Sequence, residues 1–148
     1  MKLLYILNQR FPTEKAYGIQ VTKMVEAFAN LGVEVEPVVP TRKNPPQMDP
    51  IKVRRVYAPD FYLPGSLDRI AFWIKNIISA IVLARYAMRS DADVIYSRDE
   101  LPLYFLSFFK KNLVFEAHNF SKKRKIFYRK FSKIVAISHG LRDAFAPF

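Results

Sequence analysis

The chain has no cysteine among its 148 residues, which excludes a disulfide framework, a thiolate metal site and a cysteine nucleophile. That absence fits a reducing compartment. Histidine is nearly as scarce: His118 and His139 are the only two, too few for a histidine-rich centre, so no metal is expected. With four glycines there is neither a G-x-G-x-x-G turn nor a Walker lysine loop, which argues against a dinucleotide dehydrogenase and a P-loop nucleotide hydrolase. No Ser-His-Asp spacing, paired-acid glycosidase pattern, nucleic-acid reading motif, internal repeat or low-complexity segment is visible. The apolar opening Met1–Leu7 is stopped by Asn8, Gln9 and Arg10, short of a secretory signal. A second apolar run, Ile70–Ala84, holds Lys75 and Asn76 between Arg69 and Arg85. It is shorter than the roughly 20 residues of a spanning helix, so a buried or membrane-surface helix is expected. The location expected is cytoplasmic, with peripheral attachment to the inner face of the cell membrane as an option.

What is present is the composition of one globular domain: 51% hydrophobic, 25% charged and 15% aromatic, enough to bury a core without staples. The net charge is +11. Residues 110–148 alone carry +8 of it, with Glu116 and Asp143 their only acids. Such a stretch suits a polyanion, whether nucleic acid, anionic membrane or phosphate-bearing ligand, and equally suits a solvated helix face.

Lys2–Leu7 reads as a strand buried on both faces. The loop Asn8–Gly18 leads to a helix over Ile19–Leu31, with Gly32 placed for its C-terminal turn. Val33–Val39 reads as a second strand, Pro37 marking an edge or bulge, and Pro40–Pro50 as a surface loop. Val53–Ala58 is a third strand. Ser66 is a helix N-cap, and the helix runs to about Arg89. Asp68, Lys75, Ser79, Arg85 and Arg89 are expected on its solvent arc and the apolar remainder on a sheet. Asp93–Ser97, Leu113–Glu116 and Lys133–Ile137 complete six strands. They are separated by a short apolar helix to about Phe109 and a basic helix over Ser121–Phe131. Alternation of this kind predicts an α/β fold: a Rossmann-like open, mostly parallel sheet of about six strands with helices on both faces.

In such sheets ligands bind beyond the carboxyl ends of the strands. The rule selects four loops: Asn8–Gly18, Ser97–Glu100, Ala117–Asn119 and Ser138–Gly140. Gly18 opens the first helix, where backbone N–H groups favour an anion, or it serves only the turn. His118 can act as a base or a hydrogen-bond donor, or merely fix its loop. Arg98 can meet a phosphate, and Asp99 or Glu100 sugar hydroxyls. The alternative for these three is a capped helix start with a local ion pair. Ser138 is first an N-cap and second a ligand contact.

Several segments then resemble family 4 retaining glycosyltransferases, in that family's order. They are Lys2–Leu7, Pro12–Gln20, Met24–Val35, Asp93–Arg98, Phe115–Asn119 and Ile134–Arg142. The resemblance implies a GT-B enzyme's amino-terminal, acceptor-binding domain spanning residues 1–148, with a carboxy-terminal donor-binding domain absent. It implies hexosyl transfer from a nucleotide sugar to a glycan or lipid-linked acceptor. The nucleotide sugar is then a substrate, and no cofactor is expected. The roles implied are catalytic for His118 and donor- or acceptor-binding for Tyr17, Gly18, Arg98, Glu100, Asn119 and Ser138. Paired glycines are frequent in the family's first loop, where this chain has Tyr17-Gly18. The expected partner is a donor-binding domain or subunit, and the chain alone is expected to transfer negligible sugar. Other readings are a non-catalytic, membrane-docking subunit of a split transferase and a basic nucleic-acid-binding α/β domain. Whether an uncovered apolar face makes a homodimer is left open by the sequence.

Overall fold

Short apolar strands alternate with helices along the chain, and the computed structural model describes residues 1–9, 11, 16–41, 51–65, 67–121 and 124–148. The elements are β1 (Lys2–Ile6), α1 (Ala16–Asn30), β2 (Glu34–Thr41), β3 (Arg54–Tyr57), α2 (Leu67–Met88) and β4 (Val94–Ser97). They continue with α3 (Glu100–Leu106), β5 (Leu113–Ala117), α4 (Lys125–Tyr128), β6 (Lys133–Ala136) and α5 (His139–Phe145). The six strands form one sheet in the order β3-β2-β1-β4-β5-β6, and every neighbouring pair is parallel. This is the open Rossmann-like sheet expected from the alternation.

Two apolar layers enclose the sheet. On one face Leu3, Tyr5, Leu7 and Tyr96 pack against Val21, Met24 and Phe28 of α1. On the other, Leu4, Ile6, Ile95 and Phe115 meet Leu83 and Ala87 of α2, Leu103 and Leu106 of α3, and Tyr128 and Phe145. The alternation of Leu3 and Tyr5 with Leu4 and Ile6 is the period of two that sends successive side chains to opposite faces. Chain order reverses between β1 and β4, so the loops after these two strands part to opposite sides. That is the point at which a crevice opens in such sheets.

Four local expectations change. α1 begins at Ala16, so Gly18 is a buried helical residue rather than the end of a loop. Pro37 lies inside the sheet, not at its edge. The bonds Glu34 N–H to Met1 O and Leu7 N–H to Val38 O turn even-numbered residues of β2 towards β1. Pro37 therefore faces β3, whose pairing starts only at Val38, and its missing N–H removes no ladder bond. The basic helix shrinks to Lys125–Tyr128. Lys130 and Phe131 donate to Phe127 and Tyr128, three residues back, a tightened turn that ends it. The arc of α2 holds only in part: Asp68, Arg85 and Arg89 are exposed as expected, but Lys75 and Ser79 are buried, while Ile70, Ile74, Ile77 and Ile81 face solvent. Lys75 is drawn inward by Asp60, 3.4 Å away, and by the ring of Tyr62, 3.9 Å from its Nζ. Gly32 does take the left-handed turn, at φ 76°. Ser66 and most of the Pro40–Pro50 loop lie outside the described residues.

Candidate functional site

β1, β4, β5 and β6 are adjacent or nearly so and run the same way. Their carboxyl ends therefore line up Asn8, Arg98, His118 and Ser138 along one rim. The densest chemistry on that rim lies on the α1 side of β4 and β5. Glu116 points to that face because it alternates with Phe115 and Ala117, which pack on the other. It is buried to 2% exposure, and an isolated carboxylate there would be costly. It is satisfied by several donors: Tyr96 Oη at 2.8 Å, Tyr5 Oη at 3.4 Å and His118 Nε2 at 2.5 Å from Oε1. Arg98 Nε stands 3.9 Å from the same Oε1.

Burial pushes the phenols of Tyr5 and Tyr96 far above their usual range, and the charge of Glu116 adds to it. At neutral pH both therefore stay protonated and donate. The contact with Glu116 Oε1 occupies Nε2 of His118, the geometry in which a neutral ring donates from Nε2 to a carboxylate. The free ring nitrogen is then Nδ1, a carboxylate-oriented acceptor of the kind a general base uses. His118 is 22% exposed in its side chain, so the ring is reachable from the rim.

Arg98 is the second element. Its guanidinium lies over the ring of Tyr17, 4.7 Å from the centroid, and its side chain is only 10% exposed. Nε and Nη1 have no hydrogen-bond partner among the described residues, nor does the buried hydroxyl of Tyr17. Buried donors are normally paired. Here donors without partners among the described residues gather beside the first turn of α1, whose dipole favours negative charge. The set is competent to hold an anionic oxygen such as a phosphate. Burial, then the nearby Asp99, pushes the Tyr17 phenol up, so it too is neutral and able to donate.

Across the β1/β4 divide a cleft of about 720 Å³ opens towards α2 and α4. Phe72, Trp73 and Phe127 form its apolar wall, and Asn8, Asp99 and Glu100 its polar side. Asp99 accepts from the Asn8 backbone N–H at 2.7 Å and from Gln9 Nε2 at 3.1 Å. Burial raises its pKa while these two bonds pull it down. Asn8 Oδ1 is buried without a partner among the described residues. Glu100 is paired across the cleft with Arg124 and accepts from Tyr128 Oη at 3.1 Å. The ion pairs of this segment are thus Arg98–Glu116 and Glu100–Arg124, and Asp99 makes no side-chain cap to α3.

The remaining residues singled out in the sequence sit apart. Gly18 is buried in α1, next to Tyr17. Asn119 is exposed just beyond His118. Ser138 is exposed and caps α5, its Oγ accepting from Leu141 N–H at 3.3 Å. A cavity of about 800 Å³ follows β6 under α5, and it contains none of the unpaired buried donors. Among the described residues no group of three or more acids or histidines could hold a metal ion.

Tyr5, Tyr96 and Glu116 were not singled out by sequence reasoning. The signal was present for Glu116: an acid within the apolar strand Leu113–Ala117 has to be paired to be buried. The tyrosines carried none, since at their positions any large apolar side chain reads the same. No protein-family profile matches the chain, and no curated protein matches it.

Proposed function

We propose that this chain is the acceptor-side domain of a sugar-nucleotide-dependent glycosyltransferase, transferring a hexosyl group to a glycan or lipid-linked acceptor. The observation that carries the reading is the meeting, at one strand rim, of the Glu116-oriented His118 with the guanidinium of Arg98, whose Nε and Nη1 make no hydrogen bond among the described residues. Sugar transfer needs an acceptor hydroxyl positioned and its proton managed, and it needs compensation for charge developing on the leaving diphosphate. His118 serves the first need and Arg98, with Tyr17 and the first turn of α1, the second. The cleft beside them offers aromatic faces on which sugar rings stack and carboxylates that accept from hydroxyls. The opposite wall of the crevice is contributed by a donor-binding domain or subunit. The segments that resemble family 4 enzymes agree with this division of labour.

The test is transfer of labelled hexose from a panel of nucleotide sugars to glycan and lipid acceptors. The protein is purified together with any donor-binding partner. His118→Ala is expected to lower kcat by roughly 100-fold or more, and Arg98→Ala to raise KM for the donor. Transfer unaffected by either change refutes the assignment. Oligonucleotide binding that tracks phosphate number and salt, without a nucleotide-sugar preference, favours the nucleic-acid reading instead.

A further inference from the structure

α2 presents its most apolar side to solvent. Ile70, Ile74, Ile77 and Ile81 follow one another at three or four residues, with Met88 two turns further, so they form one stripe along the helix. All five are exposed, Ile70 to 54%. The opposite side, packed on the fold, is built of alanines, Leu83, Ser79 and the paired Lys75. The helix is thus held to the sheet by small residues and one buried ion pair, while its isoleucines are left out. Trp73, half exposed, stands beside the stripe in edge contact with Phe72.

From this we infer that the exposed stripe of α2 docks on an anionic lipid bilayer. Charge decides between the occupants. Arg69, Arg85 and Arg89 are exposed along the same helix and at its end, against the single acid Asp68. A second copy would bring a like-charged molecule of +11 and the same arginines against them. An anionic headgroup layer instead attracts each arginine near the surface, and accepts Trp at headgroup depth. The helix is long and apolar enough to cross a membrane, but 39% of its apolar window is buried in the fold. It therefore lies along the surface rather than through it, as an interfacial amphipathic helix does. Phe72 and Trp73 also line the cleft that holds Asp99 and Glu100, so docking sets the mouth of that cleft at headgroup level. If the transferase reading holds, the acceptor is then a lipid-linked one.

Trp73 is the only tryptophan and reports docking directly. Fluorescence and co-sedimentation are measured with phosphatidylcholine vesicles, with and without phosphatidylglycerol. The expected result is a blue shift and sedimentation with the anionic vesicles only, weakened by salt. Affinity should fall roughly tenfold or more in the double variant Ile74→Glu/Ile81→Glu, and several-fold in Arg69→Ser/Arg85→Ser. Both variants change exposed side chains, and circular dichroism confirms that they fold. No shift with anionic vesicles overturns the proposal. So does a concentration-dependent dimer that shields Trp73 without lipid, and so does vesicle binding that survives the Glu variants but is lost with Lys125, Arg129 and Lys130 neutralised. None of these measurements uses a sugar donor, so the docking claim stands or falls apart from the transferase reading.

Discussion

Glu116 and His118 lie two residues apart at the end of β5, on the same side of the strand, with Oε1 and Nε2 2.5 Å apart. A strand's period of two makes this meeting automatic once Glu116 is turned inward. The carboxylate does two jobs there. It satisfies two buried phenols, and it engages one nitrogen of the imidazole while leaving the other outside that contact.

Removing that carboxylate leaves Tyr5 and Tyr96 without their acceptor and Arg98 without the counter-charge 3.9 Å from its Nε. Glu116→Ala is expected to destabilise the fold by about 2–4 kcal/mol, within the range for breaking a buried charged network. Glu116→Gln costs less, because the amide oxygen still accepts from Tyr96. Urea midpoints of the two variants check the order. Equal stability of Glu116→Ala and the parent chain would contradict the network.

Three of the buried phenols, Tyr5, Tyr17 and Tyr96, make the fold alkali-sensitive. Each is raised in the fold above the ordinary value of 10.0, to which it returns on unfolding. Their contribution is therefore complete below that ordinary value and is lost as pH rises from it towards the folded values. Stability measured by urea is expected to hold at mildly alkaline pH and to fall steeply above about pH 10. Tyrosinate absorbance should appear with unfolding rather than before it.

Tyr17→Phe separates binding from folding. The hydroxyl it removes is buried and has no partner among the described residues, so its loss is expected to be neutral or stabilising at neutral pH. The same change weakens anion binding at Arg98, because a donor is lost. Tyr96→Phe, by contrast, breaks a 2.8 Å bond and costs about 1 kcal/mol. Thermal melts in parallel with phosphate titrations distinguish the two.

Gly32 follows α1 at φ 76°, with nothing within 4 Å of where a Cβ would stand. Gly32→Ala is expected to cost about 1 kcal/mol through backbone strain alone. The packing of α1 would be unchanged, as amide shifts in Val21–Phe28 can show.

The order of strands and helices was legible because apolar runs, turn residues and helical spacing agreed along most of the chain. The rim positions of Arg98 and His118 followed from strand ends alone. What sequence left open was which face each side chain takes and what it meets. The face of Glu116 depends on the register of β5, and its partners come from β1 and β4, far away in sequence. The periodicity of α2 was visible, and Asp68, Arg85 and Arg89 do face solvent, but Lys75 and Ser79 do not. Polarity alone puts Lys75 outside, and only the buried Asp60 brings it in. The short α4 was hidden by a run of basic residues that are tolerated in helix and turn alike.

The most direct test of the crevice is an amide and histidine-ring NMR titration of the chain with a hexose phosphate and a nucleotide sugar. The account predicts shifts concentrated at Tyr17, Gly18, Arg98 and His118, with Nδ1 of His118 the ring nitrogen that responds, all lost in Arg98→Ala. Shifts confined to the basic residues 124–133, or none at millimolar ligand, would contradict it.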